Sequence, residues 1–301
     1  MTEAQKTAVG QLGWPSCLFR RLQQPNIPDR KSLLAGMGGA KSGECVFGEN
    51  PPGAMMAGHS GKPPGQRVQL HRALSKLGWG SRTQAWDWIR AGEVQVDGQV
   101  VTNPLAWVDL DRQRITRAGQ EALQAPSLTL ALHKPRGIVT TRQDERGRRT
   151  VYDLLPPDLP WIFPAGRLDA DSEGLLILTN DSALALRLTD PEHHLSKTYQ
   201  VLVTPRPAPG ALEHLRRGVI LPDGRTRPAG VRLLEERPGA ALVEMVLTEG
   251  RNRQIRRMWA SQGHRVRRLV RVAIGGYLLG DLAPGTYRQL DAADLRRLTG
   301  L

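Results

Sequence analysis

The run FPAGRLDADSEGLLILTND, residues 163–181, constrains the fold of this 301-residue chain more than any other segment. Its apolar tetrad, Leu175, Leu176, Ile177 and Leu178, has the length of a strand covered on both faces, so structure must pack on either side of it. Ahead of the strand, Gly166 permits a tight turn, and that turn carries Arg167, Asp169, Asp171, Ser172 and Glu173. A carboxylate such as Asp169, two positions from a cation and held at the mouth of a buried strand, is placed for chemistry. The same composition also suits a solvated, hydrogen-bonded turn.

Charge narrows the partners. With 42 Lys+Arg against 29 Asp+Glu the chain carries a formal net charge of +13, and the polyanion that best matches such a balance is nucleic acid. No apolar run reaches the ~18 residues of a membrane span. Both cysteines, Cys17 and Cys45, precede the segments that look folded, which supports neither a disulfide framework nor a thiolate metal site. His193 and His194 are adjacent and lack the spacing of zinc ligands. The expectation is a cytoplasmic, monomeric protein with no metal and no cofactor. Residues 1–66 are rich in Gly and Pro and show no periodicity, so a disordered extension is expected there; Met55 and Met56 offer an alternative start just ahead of the folded part.

Folding signals begin at Arg67. Leu70, Ala73, Leu74 and Leu77 recur at helical spacing before Gly78, and Ser81 with Gln84 has the spacing of a capping box for a second helix carrying Ala85, Trp88 and Ile89. Val94, Val96, Val100 and Val101 flank an Asp97-Gly98 hairpin turn. Arg67, Arg72, Lys76, Arg82 and Arg90 give the two helices a basic side that fits RNA phosphates or plain solvation. The module is expected over residues 67–126, ending in a linker from Gly119 to Pro126.

Residues 127–301 change to strands with intervening helices, the pattern of a mixed α+β domain. Leu128, Leu130 and Leu132 alternate with Thr129, Ala131 and His133, and a loop with Lys134, Arg136 and further basic residues follows. Asp181 is a helix cap for Leu184, Leu186 and Leu188, with Pro191 as the stop. Next comes the strand Lys197-Thr198-Tyr199-Gln200-Val201. In EGRNRQIRRM, Arg253 and Arg256 are three apart and so near one another on a helix surface. From Val266 to Val272 apolar and basic residues alternate as in a half-buried strand with one basic face.

Three of these segments, GRLDADSEGLLILTND, KTYQV and EGRNRQIRRM, resemble in order the active-site elements of the RsuA-type (RsuA, RluB, RluE, RluF) ribosomal RNA pseudouridine synthases. The run VQLHRALSKLGWGSRTQAWDWIRAGEVQVDGQVV resembles the S4-type RNA-binding module, with His71 where an Asp is common. The resemblance implies an α+β fold, a mixed and mostly antiparallel synthase sheet behind a small α/β S4-like domain. It also implies an isomerase acting on a uridine of ribosomal RNA or a pre-ribosomal particle, large subunit favoured. By the same resemblance Asp169 is the catalytic carboxylate, Tyr199 stacks on the uracil, and Arg256 pairs with Asp169 through a two-pronged guanidinium contact that favours the ionised acid. Arg72, Lys76, Arg82, Lys134, Arg136, Arg167, Lys197 and Arg253 are the expected RNA contacts. Two other readings are a non-catalytic RNA-binding ribosome-assembly factor and a glycosidase-like enzyme with Asp171 as its second carboxylate.

Overall fold

The computed structural model describes residues 67–122 and 126–301; the extension expected over residues 1–66, with both cysteines, lies outside the described residues. The N-terminal module runs β1 (Arg67–Gln69), α1 (Leu70–Lys76), α2 (Arg82–Arg90), β2 (Val94–Val96), β3 (Gln99–Val100), β4 (Trp107–Asp109), β5 (Ile115–Arg117) and β6 (Gln120–Glu121). At α2 the Ser81 side chain accepts from the Gln84 amide while the Gln84 side chain accepts from the Ser81 amide, so the capping box forms as its spacing predicts. Asp97 and Gly98 both take positive φ, 52° and 82°, closing the β2–β3 hairpin. Leu70, Leu74, Ala85 and Ile89 are fully buried between the helices and the small sheet. His71 is buried too: Nδ1 hydrogen-bonds the Pro104 carbonyl at 2.9 Å and the ring meets Trp86 edge-on. It therefore ties α1 to the segment before β4 instead of capping the helix.

The expected linker from Gly119 is shorter than its composition suggests. Ala118 and Gly119 turn the chain, and Gln120–Glu121 returns as β6 alongside β5. Backbone pairing with an open strand edge outweighs the local polar character.

The second module contains β7 (Thr129–Lys134), β8 (Phe163–Pro164), β9 (Glu173–Thr179), α3 (Ser182–Thr189), β10 (Lys197–Thr204), α4 (Pro209–Arg217), β11 (Ile220–Leu221), β12 (Gly224–Arg225), β13 (Gly230–Arg237), β14 (Ala240–Leu247), α5 (Gln254–Ala260), β15 (Arg265–Ile274), β16 (Tyr277–Leu278), β17 (Tyr287–Gln289) and α6 (Ala292–Thr299). One sheet runs in the order β13-β14-β10-β15-β9-β7-β17, with β16 beside β15 and β8 beside β9. It is mixed and mostly antiparallel; among the described strands of this sheet only β9 and β15 pair in parallel. Leu175, Leu176, Ile177 and Leu178 have no exposed surface, and burial of such side chains stabilises by roughly 1.5–3 kcal/mol each.

Gly174 makes the parallel pairing possible. Its φ is +104°, and a Cβ there would lie against the Arg271 backbone carbonyl, so a residue with a side chain would force β9 away from β15. Two cores flank the sheet. One gathers β10, β13 and β14 against α4 and α5, the other gathers β7 and β9 against Ile138, Val151, Ile162 and Leu168, and Tyr199 packs on both.

Two patterns differ from their sequence reading. In α3 the Asp181 cap forms, but Ala185 and Leu188 are the buried residues while Leu186 is 60 % exposed, because the helix meets β9 along one narrow stripe. In β15 exposure alternates only as far as Arg268; the last six residues are all buried between β10 and β9.

Candidate active site

The turn bearing Asp169 is fixed through its backbone. The Leu168 carbonyl accepts from Thr140 Oγ1 at 2.8 Å, the Ala170 carbonyl from the Gly137 amide at 2.7 Å, and the Asp169 carbonyl from the Ser172 amide at 3.0 Å. Gly166, with φ +89°, swings the chain from β8 into this turn. The Asp169 side chain remains 32 % exposed, open to a reactant while its backbone is braced.

Lys134 completes the brace and corrects its expected role. It has no exposed surface, and Nζ donates to the Ser172 carbonyl at 2.8 Å and the Pro135 carbonyl at 3.0 Å, so it cannot meet RNA phosphates. As the last residue of β7, it lies opposite Gly174 of β9 and is buried. Burial lowers its pKa to about 8 against the opposing charges of Glu173, Asp171 and Asp169.

The arginines differ from the expected pairing as well. Arg253 places Nη1 and Nη2 on the two Asp171 carboxylate oxygens at 3.1 and 2.9 Å, and its Nη1 lies 3.5 Å from Asp169 Oδ2. Arg256 forms no two-pronged pair with Asp169. Its Nη2 donates to the Asp171 carbonyl at 2.9 Å and lies 3.3 Å from Asp171 Oδ2. One helical turn beyond Arg253, Arg256 reaches the back of the turn, where the Asp171 carbonyl and carboxylate capture it before it can reach Asp169. Burial holds the Arg256 pKa below its usual value, with Asp171 opposing. Burial alone would raise the Asp171 pKa, but the hydrogen bonds from Arg253 and the charge of Arg256 leave it lowered.

Arg253 caps α5 in the left-handed region, φ 47°, a conformation that costs a non-glycine residue about 1 kcal/mol or more. Buried Glu249 holds the loop in place, accepting from Gln254 Nε2 at 2.6 Å, from the Arg227 amide at 3.0 Å and from Arg251 Nε at 3.2 Å. Sequence alone assigns Glu249 no role; its one signal is that it is a lone acid in an otherwise basic loop.

Asp169 opens into a cavity of about 390 Å³, within the ~300–1,000 Å³ of small-molecule sites. Lys197, Tyr199, Arg167, Arg253 and Arg271 line it with Leu188, Leu247, Leu269 and Ile274. Tyr199, half-buried, stands opposite Met245 of β14 and Arg271 of β15. Lys197 donates to the Leu195 carbonyl at 3.1 Å, and burial plus the Arg271 charge lower its pKa to about 8. Arg271 falls on the basic face that the alternation of β15 implies, yet it is only 5 % exposed. The Gly174 position in the facing strand was the available signal, since an isolated strand glycine marks close backbone approach.

Of the other expected contacts, Arg136 and Arg167 are exposed. Arg72, Lys76 and Arg82 are exposed as well, lining with Trp161 and Phe163 a second cavity of about 560 Å³. Among the described residues no group of three or more His, Cys, Asp or Glu side chains is arranged to hold a metal ion, and no helix is long and apolar enough to cross a membrane.

Residues 129–261 match the RNA pseudouridylate synthase family and residues 69–104 the S4 domain. An uncharacterized RNA pseudouridine synthase of Mycobacterium tuberculosis is 40% identical over 235 residues, 77% of this chain and 92% of that protein. The ribosomal large subunit pseudouridine synthase B of Bacillus subtilis is 35% identical over 235 residues, 77% of this chain and 96% of its own. The ribosomal large subunit pseudouridine synthase E of Xanthomonas campestris is 46% identical over 187 residues, 56% of this chain and 98% of its own. Among solved structures, a crystal structure of a pseudouridylate synthase superposes with a TM-score of 0.57 at 28% identity, over 77% of this chain and 99% of that one.

Proposed function

The chain belongs to the RNA pseudouridylate synthase family, as an RsuA-type member with an S4 domain, and from that premise we propose that it isomerises one uridine of large-subunit ribosomal RNA, with Asp169 as the catalytic carboxylate. The observation that carries the residue assignment is the Asp169 side chain, held on a braced turn and open to the cavity that Tyr199 also lines. Relatives named for the large ribosomal subunit support the choice of RNA.

The reaction breaks the bond from ribose C1′ to uracil N1, turns the ring, and joins C1′ to C5, whose hydrogen leaves as a proton while N1 gains one. Atoms balance without an external donor. Asp169 initiates the exchange as nucleophile or base, Arg253 stands 3.5 Å from its Oδ2, and Tyr199 offers its ring to the uracil. Such a uridine must be unpaired or flipped from its stack to enter. Arg72, Lys76, Arg82, Arg136 and Arg167, all exposed, supply phosphate contacts.

Base removal by water fits less well. Asp171 is committed to Arg253 and Arg256, and Glu249 to Gln254, Arg227 and Arg251, so neither is free to activate water. The test is a map of ribosomal RNA pseudouridines in a strain lacking the gene. Loss of one large-subunit site, restored by the gene in trans, is the expected result; an unchanged large-subunit map contradicts the assignment.

A further inference from the structure

We propose that Lys197 and Arg271 form a cationic floor to the cavity, which receives the uracil carbonyl oxygens and holds the negative charge the ring acquires when it separates from the ribose. The proposal rests on the reading of this cavity as the uridine site.

The two residues come near one another across a register shift: Lys197 of β10 lies opposite Ile274 of β15 and Tyr199 opposite Arg271, and the Arg271 charge acts on Lys197. Lys197, two residues before Tyr199 on β10, shares its face because strand side chains alternate. Both line the cavity with Asp169. Arg271 donates Nε to the Leu175 carbonyl at 2.7 Å, but its Nη2 is buried with no hydrogen-bond partner. A buried donor left unmade costs roughly 1–3 kcal/mol, and more when charged. Lys197 has one hydrogen bond, to the Leu195 carbonyl, out of the three an ammonium can donate. Neither forms a salt bridge among the described residues. Two neighbouring cations, largely withdrawn from water and without a carboxylate partner, destabilise the empty protein, and such arrangements concentrate at functional sites.

The reaction supplies the missing partner. When C1′–N1 breaks, the electron pair stays on N1 and spreads over the ring to its two carbonyl oxygens. Leu247, Leu269 and Ile274 make that end of the cavity apolar, so the charge would otherwise stand in a poor medium. Donors fixed in advance act most strongly where charge develops. The charge is discharged when C5 bonds C1′, and the proton that then leaves C5 is balanced by the one N1 gains. Because the interaction grows as the bond breaks, it raises kcat with little effect on KM.

The experiment uses the full chain and ribosomal RNA carrying tritium at uridine C5, comparing wild type with Lys197→Met, Lys197→Arg, Arg271→Gln and Asp169→Asn. Lys197→Met and Arg271→Gln are expected to lose about 100-fold or more in kcat, with KM and RNA affinity within about threefold of wild type. Lys197→Arg keeps the charge and recovers most of the rate. In wild type kcat falls as pH rises through about 8, where Lys197 loses its proton, and in Lys197→Arg that fall is absent. Arg167, Asp169, Tyr199, Glu249, Arg251, Arg253 and Arg271 are the other ionisable groups lining the cavity, and Arg271 is the one whose charge lowers the Lys197 pKa. A thermal melt shows whether Arg271→Gln folds; if it does not, the Lys197 variants and the pH profile decide. Normal kcat in Lys197→Met, or a loss confined to KM and RNA affinity, overturns the floor. An active Asp169→Asn overturns the uridine-site reading and the floor with it, whereas an inactive Asp169→Asn beside a fully active Lys197→Met overturns the floor alone.

Discussion

Arg253 grips both carboxylate oxygens of Asp171, at 3.1 and 2.9 Å, and the nitrogen that makes the longer of these bonds lies 3.5 Å from Asp169 Oδ2. Asp171 thus orients the guanidinium that stands beside Asp169, and Arg256 fastens the same turn from behind.

Asp171→Asn leaves the shape of the turn and removes the charge that aligns both arginines. Turnover is expected to fall about 100-fold, the order of loss that follows from a misplaced reacting group, with RNA affinity nearly unchanged. Tritium release and filter binding measure the two quantities side by side. Undiminished turnover would show that the alignment has no part in the reaction.

The two arginines should respond differently to lysine. Arg253→Lys loses the two-pronged grip and lowers kcat, because a point charge does not reproduce the planar fork, while Tm changes little at this half-exposed position. Arg256 is 14 % exposed and donates to the Asp171 carbonyl. Arg256→Lys should therefore lower both Tm and kcat. A melt that does not distinguish the variants would contradict the division of roles.

Lys134 makes stability depend on alkaline pH. Its pKa falls from 10.5 to about 8 on folding, so between those values the unfolded chain binds more protons and stability rises with pH. The penalty is fully present below about pH 8 and gone above about 10.5. Lys197 adds a slope of the same sign. Urea unfolding of wild type and Lys134→Met at pH 7.5 and 10 isolates the Lys134 contribution, which approaches about 1.4 kcal/mol per pH unit at most. Wild type should gain on the variant as pH rises, and a constant difference would be the contrary result.

Exposed Arg72 and Arg82 are expected to contact phosphates. Each single change to Gln should weaken RNA binding and reduce the slope of log K against log[salt] by about 0.7–0.9. Binding titrations from low to moderate salt check this, and an unchanged slope removes the residue from the RNA contact surface.

Local signals in the chain were legible. The Ser81–Gln84 capping box, the Asp97-Gly98 turn, the Asp181 cap and the buried run Leu175–Leu178 all depend on neighbours in sequence, and each forms as its residues imply. The motifs single out Asp169 and Tyr199, and both residues line one cavity. Contacts between distant segments were not legible. Arg253 and Arg256 both lie within reach of the acidic turn, and only the approach of α5 decides that Arg253 stands nearer Asp169 while Arg256 grips the back of the turn at Asp171. Lys134 reads as a loop cation until β9 pairs with it and the Ser172 carbonyl takes its ammonium, and Arg271 reads as a surface residue until β9 pairs with β15.

The most direct test of the account is tritium release by Asp169→Asn from ribosomal RNA labelled at uridine C5, because forming the C1′–C5 bond must expel that hydrogen. Asparagine keeps the size and the braced turn but can neither attack as a carboxylate nor accept the proton. The account predicts release at background with RNA binding retained; release at the wild-type rate would contradict it.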